Sequence, residues 1–417
     1  MIQKPRGTID ILPDESRGWQ WVEKILKETA DLYGYGEIRI PTIESSELYK
    51  RGVGETSDVV QKEMYTFEDN DRRSITLRPE GTAGVVRSVI ENSLFSGVLP
   101  LPLYYLVSCF RYEKPEAGRS REFYQFGVEL FGAESPSADA NVISLGDEIF
   151  KRLGIEVSLE INSIGCRHCR PKYHKALHDY YNAHRDSLCE TCLDRLEKNP
   201  LRILDCKSPV CASLSEAAPK TTDYLCPDCH EHLETLKRHL DTAGIKYTVN
   251  PKIVRGLDYY QRTVFEFVSD DIGSKSTICG GGRYDGLVEE LGGPKLSGIG
   301  FAMGLTRVML ALKAKDKLPL FDASPSLYIA SMGDEARLFS FELSLKLKKH
   351  GITADFDQVG RSLKAQMKYA DKIGAKYSVV LGESELQEGV ATLKNMHDGT
   401  TKQIDINDAD ALAQLLI

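Results

Sequence analysis

The strongest constraint on the fold is where the cysteines and histidines lie. Eight of the ten cysteines fall between Cys166 and Cys229, and seven of the nine histidines fall between His168 and His239. A chain of 417 residues has room for two to four domains at roughly 150 residues each, and this clustering marks out a distinct module. Strand-like patterning precedes it and resumes after it. The expected arrangement is therefore one sheet domain interrupted by a mainly helical insertion from about Gly165 to Leu240.

Outside that module, hydrophobic periodicity and turn residues sort the chain. A helix is expected over Glu15–Tyr33 and a short strand over Glu37–Ile40, ending at Pro41. Met64–Phe67, Ser74–Leu77, Leu103–Tyr112 and Arg121–Phe131 read as strands of an antiparallel sheet. Asp139–Leu153 reads as a helix, and Glu156–Asn162, Tyr247–Val249 and Arg262–Val268 as further strands. Ser297–Leu312 reads as a glycine-rich strand end entering a helix, and Lys313–Ser326 as a linker. Beyond it, strands and helices alternate as in a small α/β domain with a largely parallel sheet. The expected divisions are 1–164, 165–240, 241–320 and 325–417.

Charge narrows the function classes. With 53 Lys+Arg against 61 Asp+Glu the formal net charge is −8, which excludes a generic basic coat for nucleic acid but leaves room for a local basic patch. The N-terminal residues carry no apolar core of a signal peptide. The longest uncharged run, Asn92–Phe110, holds Pro100, Pro102 and Gly97 and suits a buried turn and strand better than a membrane span. A soluble, cytoplasmic protein without membrane association is expected.

Four segments concentrate side chains that bind polar ligands. In the hairpin from Leu103 to Leu130, alternation puts Arg121, Phe123, Gln125, Gly127 and Glu129 on one face, and Arg111 and Glu113 on one face of the partner strand. Phe123 is placed to stack on a flat ring, the charged neighbours suit phosphate and amino groups, and Gly127 leaves room for a ligand. Glu80-Gly81-Thr82 sets a carboxylate and a hydroxyl about a glycine; the same residues would serve a helix N-cap. Arg255-Gly256-Leu257-Asp258-Tyr259-Tyr260 offers donors, an acceptor and aromatic walls. In Gly298–Arg307 the glycines allow close packing, and Arg307 enters the first turns of a helix within reach of a polyphosphate.

These blocks, in this order, resemble class II aminoacyl-tRNA synthetases, and specifically the histidyl-tRNA synthetase family. Tyr33–Glu44 resembles motif 1, Leu103–Glu129 motif 2 and Gly298–Arg307 motif 3; Arg255–Tyr260 and Gly280–Leu287 resemble the two histidine signatures, and Lys4–Pro13 the family's N-terminus. The resemblance implies an α+β catalytic domain built on an antiparallel sheet, a helical Cys/His-rich insertion and a C-terminal α/β anticodon-binding domain. It implies a homodimer with Pro41 at its interface. It implies that L-histidine is joined to tRNA(His) through a histidyl-adenylate, with ATP and Mg²⁺ as the substrate complex. Arg255, Arg111 and Arg307 would be catalytic. Histidine would be held by Glu80, Gly81, Thr82, Arg111, Gln125, Glu129, Arg255, Tyr259 and Tyr260. ATP would be held by Arg111, Glu113, Arg119, Arg121, Phe123 and Arg307. One departure is Thr306, where the family usually has a glutamate to orient the following arginine. The same fold would also serve a non-catalytic paralogue that regulates ATP phosphoribosyltransferase, or a tRNA-binding sensor. The first would lack residues 327–417, and the second would lose the Arg/Glu constellation.

The cysteines form four close pairs, Cys166/Cys169, Cys189/Cys192, Cys206/Cys211 and Cys226/Cys229. That spacing suits two structural zinc sites, paired consecutively or crossed, with His168 or His230 able to replace a thiolate. The other reading is eight reduced thiols of a helical insertion. In the C-terminal domain, Lys364, Lys368, Lys372 and Lys376, with Arg361 a turn earlier, would form a basic stripe for tRNA if one helix runs through Gly374; otherwise they are a solvated face.

Overall fold

The structure, a computed structural model, describes residues 1–54, 57–116, 118–255, 257, 259–271 and 276–416. Gly256 and Asp258 of the Arg255–Tyr260 segment lie outside the described residues. The chain divides into two compact units, 1–319 and 320–417.

The first unit opens with α1 (Pro13–Leu32), whose proline sits at the helix start where no N–H is needed. Trp19, Val22, Leu26 and Ala30, at helical spacing, are its buried stripe. Next come β1 (Gly36–Glu37), β2 (Ile43–Ser45), α2 (Ser46–Val53), a π-helical turn (Val59–Glu63), β3 (Tyr65–Glu68), β4 (Ser74–Leu77) and α3 (Thr82–Glu91). The strand expected over Glu37–Ile40 is only two residues long. Beyond it the Ile40 carbonyl is taken by the Arg78 guanidinium at 2.7 Å, and Pro41 has no N–H to continue a ladder.

β5 (Leu101–Phe110) and β6 (Glu122–Phe131) form the central hairpin. α4 (Pro136–Leu153) and β7 (Ser158–Ser163) follow, then the helices α5 (Arg170–Ala183), α6 (Glu190–Lys198), α7 (Pro209–Glu216) and α8 (Pro227–Thr242). The unit closes with β8 (Tyr247–Val249), β9 (Gln261–Ser269), β10 (Ser276–Arg283), α9 (Leu287–Glu290), β11 (Gly298–Gly304) and α10 (Leu305–Ala314). Eight strands make one sheet in the order β1-β5-β6-β11-β10-β9-β7-β8, antiparallel except for the edge pairs β1/β5 and β7/β8. β10 is a strand that periodicity does not reveal, because Gly280, Gly281 and Gly282 carry no hydrophobic pattern.

One face of this sheet, with Phe126, Val128, Phe265, Phe267 and Phe301, packs against α1, α4 and α10. The other face carries Tyr105, Val107, Cys109, Tyr259, Tyr260 and Tyr284. Helices α5 to α7 have their own core of Tyr173, Leu177, Tyr181, Leu196 and Ile203. Helix α8 instead gives Leu233, Leu236 and Leu240 to the main core.

The second unit contains β12 (Leu327–Ser331), α11 (Asp334–Lys349), β13 (Ala354–Phe356), α12 (Leu363–Lys372), β14 (Tyr377–Leu381), α13 (Glu383–Glu388), β15 (Val390–Asn395), β16 (Thr401–Asp405) and α14 (Ala409–Leu416). Its sheet order is β13-β12-β14-β15-β16. Here the expectation of a largely parallel sheet is corrected: β13, β12 and β14 are parallel, but β15 and β16 add an antiparallel hairpin. Those two strands expose one face, so their short polar alternation gave little signal.

Candidate active site

A cavity of about 430 Å³ opens on the tyrosine-bearing face of the eight-stranded sheet. Glu80, Thr82, Arg111, Glu113, Arg119, Phe123, Gln125, Arg255, Tyr259, Tyr260 and Arg307 all line it. The β5–β6 register pairs Cys109 with Phe123, so Phe123 on β6 lies beside Arg111, the residue just past β5, and the Arg111 guanidinium lies 5.3 Å from the Phe123 ring centre. Its Nε donates to the Pro79 carbonyl at 2.8 Å, which fixes its direction. Arg111 and Arg119 each approach Glu113 at 3.7 Å.

The segment before α3 combines both roles open to it. Glu80 accepts the Thr82 and Ala83 N–H groups at 2.8 Å, so the cap of α3 is the glutamate rather than Thr82. Burial raises the Glu80 carboxyl, and these backbone bonds act against that rise. Gly81 does not line the cavity; its N–H goes to Gln125 Oε1 at 3.0 Å. The space left by Gly127 is not open to a ligand. A Cβ there would stand 2.3 Å from the Tyr105 ring, which fills it.

Glu129 is 1% exposed and lies deeper than the cavity lining. Tyr284 donates to its Oε2, and its Oε1 has no hydrogen-bond partner among the described residues. Burial pushes this carboxyl up to about 8. Gly300 is required beside it, since a Cβ there would overlap the carboxylate. The Tyr284 ring meets Tyr259 at 5.8 Å, and Tyr259 meets Tyr260 at 4.6 Å, so an aromatic wall connects Glu129 to the cavity.

On the opposite side Arg255 pairs with Glu266, whose other oxygen accepts from Thr277 Oγ1 at 2.8 Å. Arg307 donates to the Thr277 carbonyl. That backbone oxygen orients it where the family's glutamate is replaced by Thr306. Arg121 departs from its expected place. Its guanidinium sits 3.8 Å from the Tyr112 ring centre, and it does not line the cavity. The side chains that sequence reasoning missed are Tyr105, Glu266, Thr277 and Tyr284. Glu266 had a readable signal, a lone charge between Phe265 and Phe267 in an alternating strand.

The cysteines gather as two tetrads, Cys166/Cys169/Cys226/Cys229 and Cys189/Cys192/Cys206/Cys211, the sulfurs of each lying within 4.8 Å of one another. The first pair joins the last and the two middle pairs join each other, so the pairing is nested, neither consecutive nor crossed, and neither His168 nor His230 belongs to a tetrad among the described residues. The basic stripe is shorter than expected. Helix α12 stops at Lys372 and Gly374 turns left-handed (φ 67°), so Lys376 leaves the helix and pairs with Asp322 at 3.0 Å. Arg361 precedes the helix and pairs with Asp357 at 2.8 Å. Lys364, Lys368 and Lys372 remain exposed on α12. Among the described residues, no helix is long and apolar enough to cross a membrane.

Comparison with known proteins agrees with this geometry. The model of the family described as histidyl-tRNA synthetase matches residues 7–168 and 201–308, and that of the anticodon binding domain matches 326–414. The histidine–tRNA ligase of Acetivibrio thermocellus is 53% identical over 409 residues, covering 98% of each chain. That of Caldanaerobacter subterraneus is 51% identical over 411 residues, 98% of this chain and 99% of that one. Among solved structures, apo histidyl-tRNA synthetase of S. aureus superposes with a TM-score of 0.84 at 40% identity over the whole of both chains. The ATP phosphoribosyltransferase regulatory subunit/histidyl-tRNA synthetase of Bacillus halodurans shares the fold, with a TM-score of 0.65 at 22% identity over 92% of this chain and 98% of that one. With motifs, sheet and full-length relatives in agreement, the chain belongs to the histidyl-tRNA synthetase family.

Proposed function

We propose that the protein activates L-histidine with ATP and transfers it to tRNA(His), releasing AMP and diphosphate. The observation that carries this reading is the polarity of the site. A buried carboxyl group, one of whose oxygens has no partner among the described residues, lies behind the aromatic wall, and Arg111, Arg255 and Arg307 line the cavity. The first suits a neutral ring that donates a hydrogen bond, the second a polyphosphate.

The histidine carboxylate is already ionised, so its attack on the α-phosphate needs no general base. Catalysis then reduces to positioning and to stabilising charge on the phosphorus oxygens. In this reading Glu129 and Tyr260 take the imidazole, with Tyr259 beside them, and Glu80, Thr82 and Gln125 take the α-amino group. Arg255 and Arg111 flank the reacting carboxylate and α-phosphate. Phe123 stacks on adenine, Glu113 accepts its amino group, and Arg119 and Arg307 hold the outer phosphates of the Mg²⁺–ATP substrate. Arg121 joins them on leaving the Tyr112 ring. Residues 1–164 and 241–320 would form the catalytic domain, 165–240 an insertion over the tRNA acceptor stem, and 325–417 the anticodon-binding domain. The active form is read as a cytoplasmic homodimer, with structural zinc in the insertion. Against the regulatory paralogue stands the intact set Arg111, Gln125, Glu129, Arg255 and Arg307 together with residues 327–416.

The test is histidine-dependent ATP–pyrophosphate exchange. The wild-type protein should exchange with histidine alone among the amino acids. Arg255→Ala should lose roughly a hundredfold or more, the effect of removing one preorganised charge donor. Near-normal exchange by folded Arg255→Ala protein would remove Arg255 from the chemistry.

A further inference from the structure

Of the three helices between β7 and α8, two are short and share one small apolar core. Helices α6 and α7 have nine and eight residues, below the roughly 12–15 at which an isolated helix becomes even marginal. Yet the eight sulfurs are brought into two compact groups. Sulfur separations of 3.7 Å (Cys166–Cys169), 3.9 Å (Cys166–Cys226) and 3.8 Å (Cys189–Cys206) are far too long for disulfides. They match the edge of about 3.8 Å of a tetrahedron with zinc–sulfur bonds of about 2.3 Å.

The backbone supports thiolates in both groups. Cys226 N–H donates to Cys169 Sγ at 3.1 Å, Cys189 N–H to Cys211 Sγ at 3.3 Å, and Ser208 N–H to Cys206 Sγ at 3.4 Å. Such bonds to a ligand sulfur lower the cost of holding its charge.

The two groups are nested. The outer one, Cys166/Cys169/Cys226/Cys229, joins the exit from β7 to the start of α8 and closes the root of the insertion. The inner one, Cys189/Cys192/Cys206/Cys211, lies on the segment that carries Arg195, Arg202 and Asp205. Arg195 and Arg202 approach Asp58 at 3.8 and 4.0 Å. Asp58 begins the π-helical turn whose last residue, Glu63, accepts the Tyr112 N–H at 2.7 Å, two residues beyond β5. Asp58, Glu63, Arg202 and Asp205 line the same cavity as Arg119.

We infer that the insertion binds two zinc ions as nested tetrathiolate sites, and that the inner ion straps the mouth of the active-site cavity through the Arg195/Arg202–Asp58 grip. Each zinc displaces the protons of four thiols and adds a cross-link to the small apolar core in holding its part of the insertion folded. The inner strap rests on the reading of the cavity as the ATP site. Its residues are positioning residues, which act on Arg119 and Glu113 through Asp58 and the 59–63 turn.

The test uses the full-length protein purified without chelator. Elemental analysis should give two zinc ions per chain for wild type and one for Cys206→Ser. In pyrophosphate exchange, Cys206→Ser should raise the apparent KM for ATP by roughly three- to thirtyfold, the range for coupling through a packed network. The KM for histidine and kcat should hold. Asp58→Asn should keep both zinc ions and give the same shift. The double variant should be no worse than the worse single one, because both cut one strap. Cys206→His, which keeps a zinc ligand, should restore both the zinc count and the KM. If Cys206→Ser fails to fold, Asp58→Asn and gradual chelation of the wild type are read by the same KM. Absence of stoichiometric zinc, iron in its place, or single effects that multiply in the double variant would overturn the inference. Failure of wild-type protein to exchange with histidine would instead sink the proposed function and leave the zinc count standing.

Discussion

Burial, more than any neighbouring charge, governs Glu129. Its carboxyl is buried, accepts from Tyr284, and is pushed from the ordinary 4.5 to about 8. Between those values the folded protein keeps a proton that the unfolded chain has released, so this group's contribution to stability declines as pH rises from about 4.5 toward 8. Glu129→Gln removes that titration. Its urea midpoint should fall less steeply than the wild type's across this window, while the KM for histidine rises roughly three- to tenfold, because the amide keeps an acceptor oxygen but cannot ionise to make the stronger charge-assisted bond to the ring N–H. An unchanged pH slope would show that Glu129 is ionised in the folded protein. The residue was legible as one polar position on an alternating strand. Its burial was not, because Tyr284 and Gly300 reach it from segments more than 150 residues away in sequence.

Among the elements, the joint between α4, β10 and α8 has a cost attached. Arg283 and Asp139 are fully buried and paired, and His232 Nε2 lies 2.7 Å from the second Asp139 oxygen. Burial alone would raise the Asp139 carboxyl, but Arg283 and His232 hold it below its ordinary value. Its contribution is therefore present above about 3.8 and lost as pH falls through the depressed value. Asp139→Asn should cost about 2–4 kcal/mol in urea unfolding at neutral pH, since it leaves the buried guanidinium with Asp285, at 3.1 Å, as its remaining carboxylate. Replacing the pair together, Asp139→Leu with Arg283→Met, should recover much of that loss. A single substitution without effect would mean that water reaches the pair. Sequence motifs group Arg283 with histidine recognition; in the fold it bolts β10 to α4, and the neighbouring Tyr284 is the one that touches the site.

For the whole molecule, the division of labour between the two units is open to a direct test. The residues proposed for adenylation lie within 1–319, and the exposed Lys364, Lys368 and Lys372 lie on α12 of the second unit. The Lys364→Glu, Lys368→Glu double variant should raise the apparent KM for tRNA in aminoacylation and leave histidine-dependent pyrophosphate exchange unchanged. The salt dependence of tRNA binding should become shallower by about two in log–log slope, one counterion for each lost phosphate contact. Wild-type affinity and slope in this variant would make α12 a solvated face.

What the sequence determined by itself is whatever depends on neighbours along the chain. The α1 stripe, the β5–β6 hairpin, the face shared by Phe123, Gln125 and Glu129, and the interruption of a sheet domain by a cysteine-rich insertion all follow from period, turn residues and spacing. Motif order added the family. Tertiary structure decided what depends on distant segments meeting. It gave the space beside Gly127 to Tyr105 and turned Arg121 onto Tyr112. It oriented Arg307 by the Thr277 carbonyl, and it nested one cysteine tetrad inside the other. Periodicity says which way a side chain points, but only packing says what already occupies the place it points to.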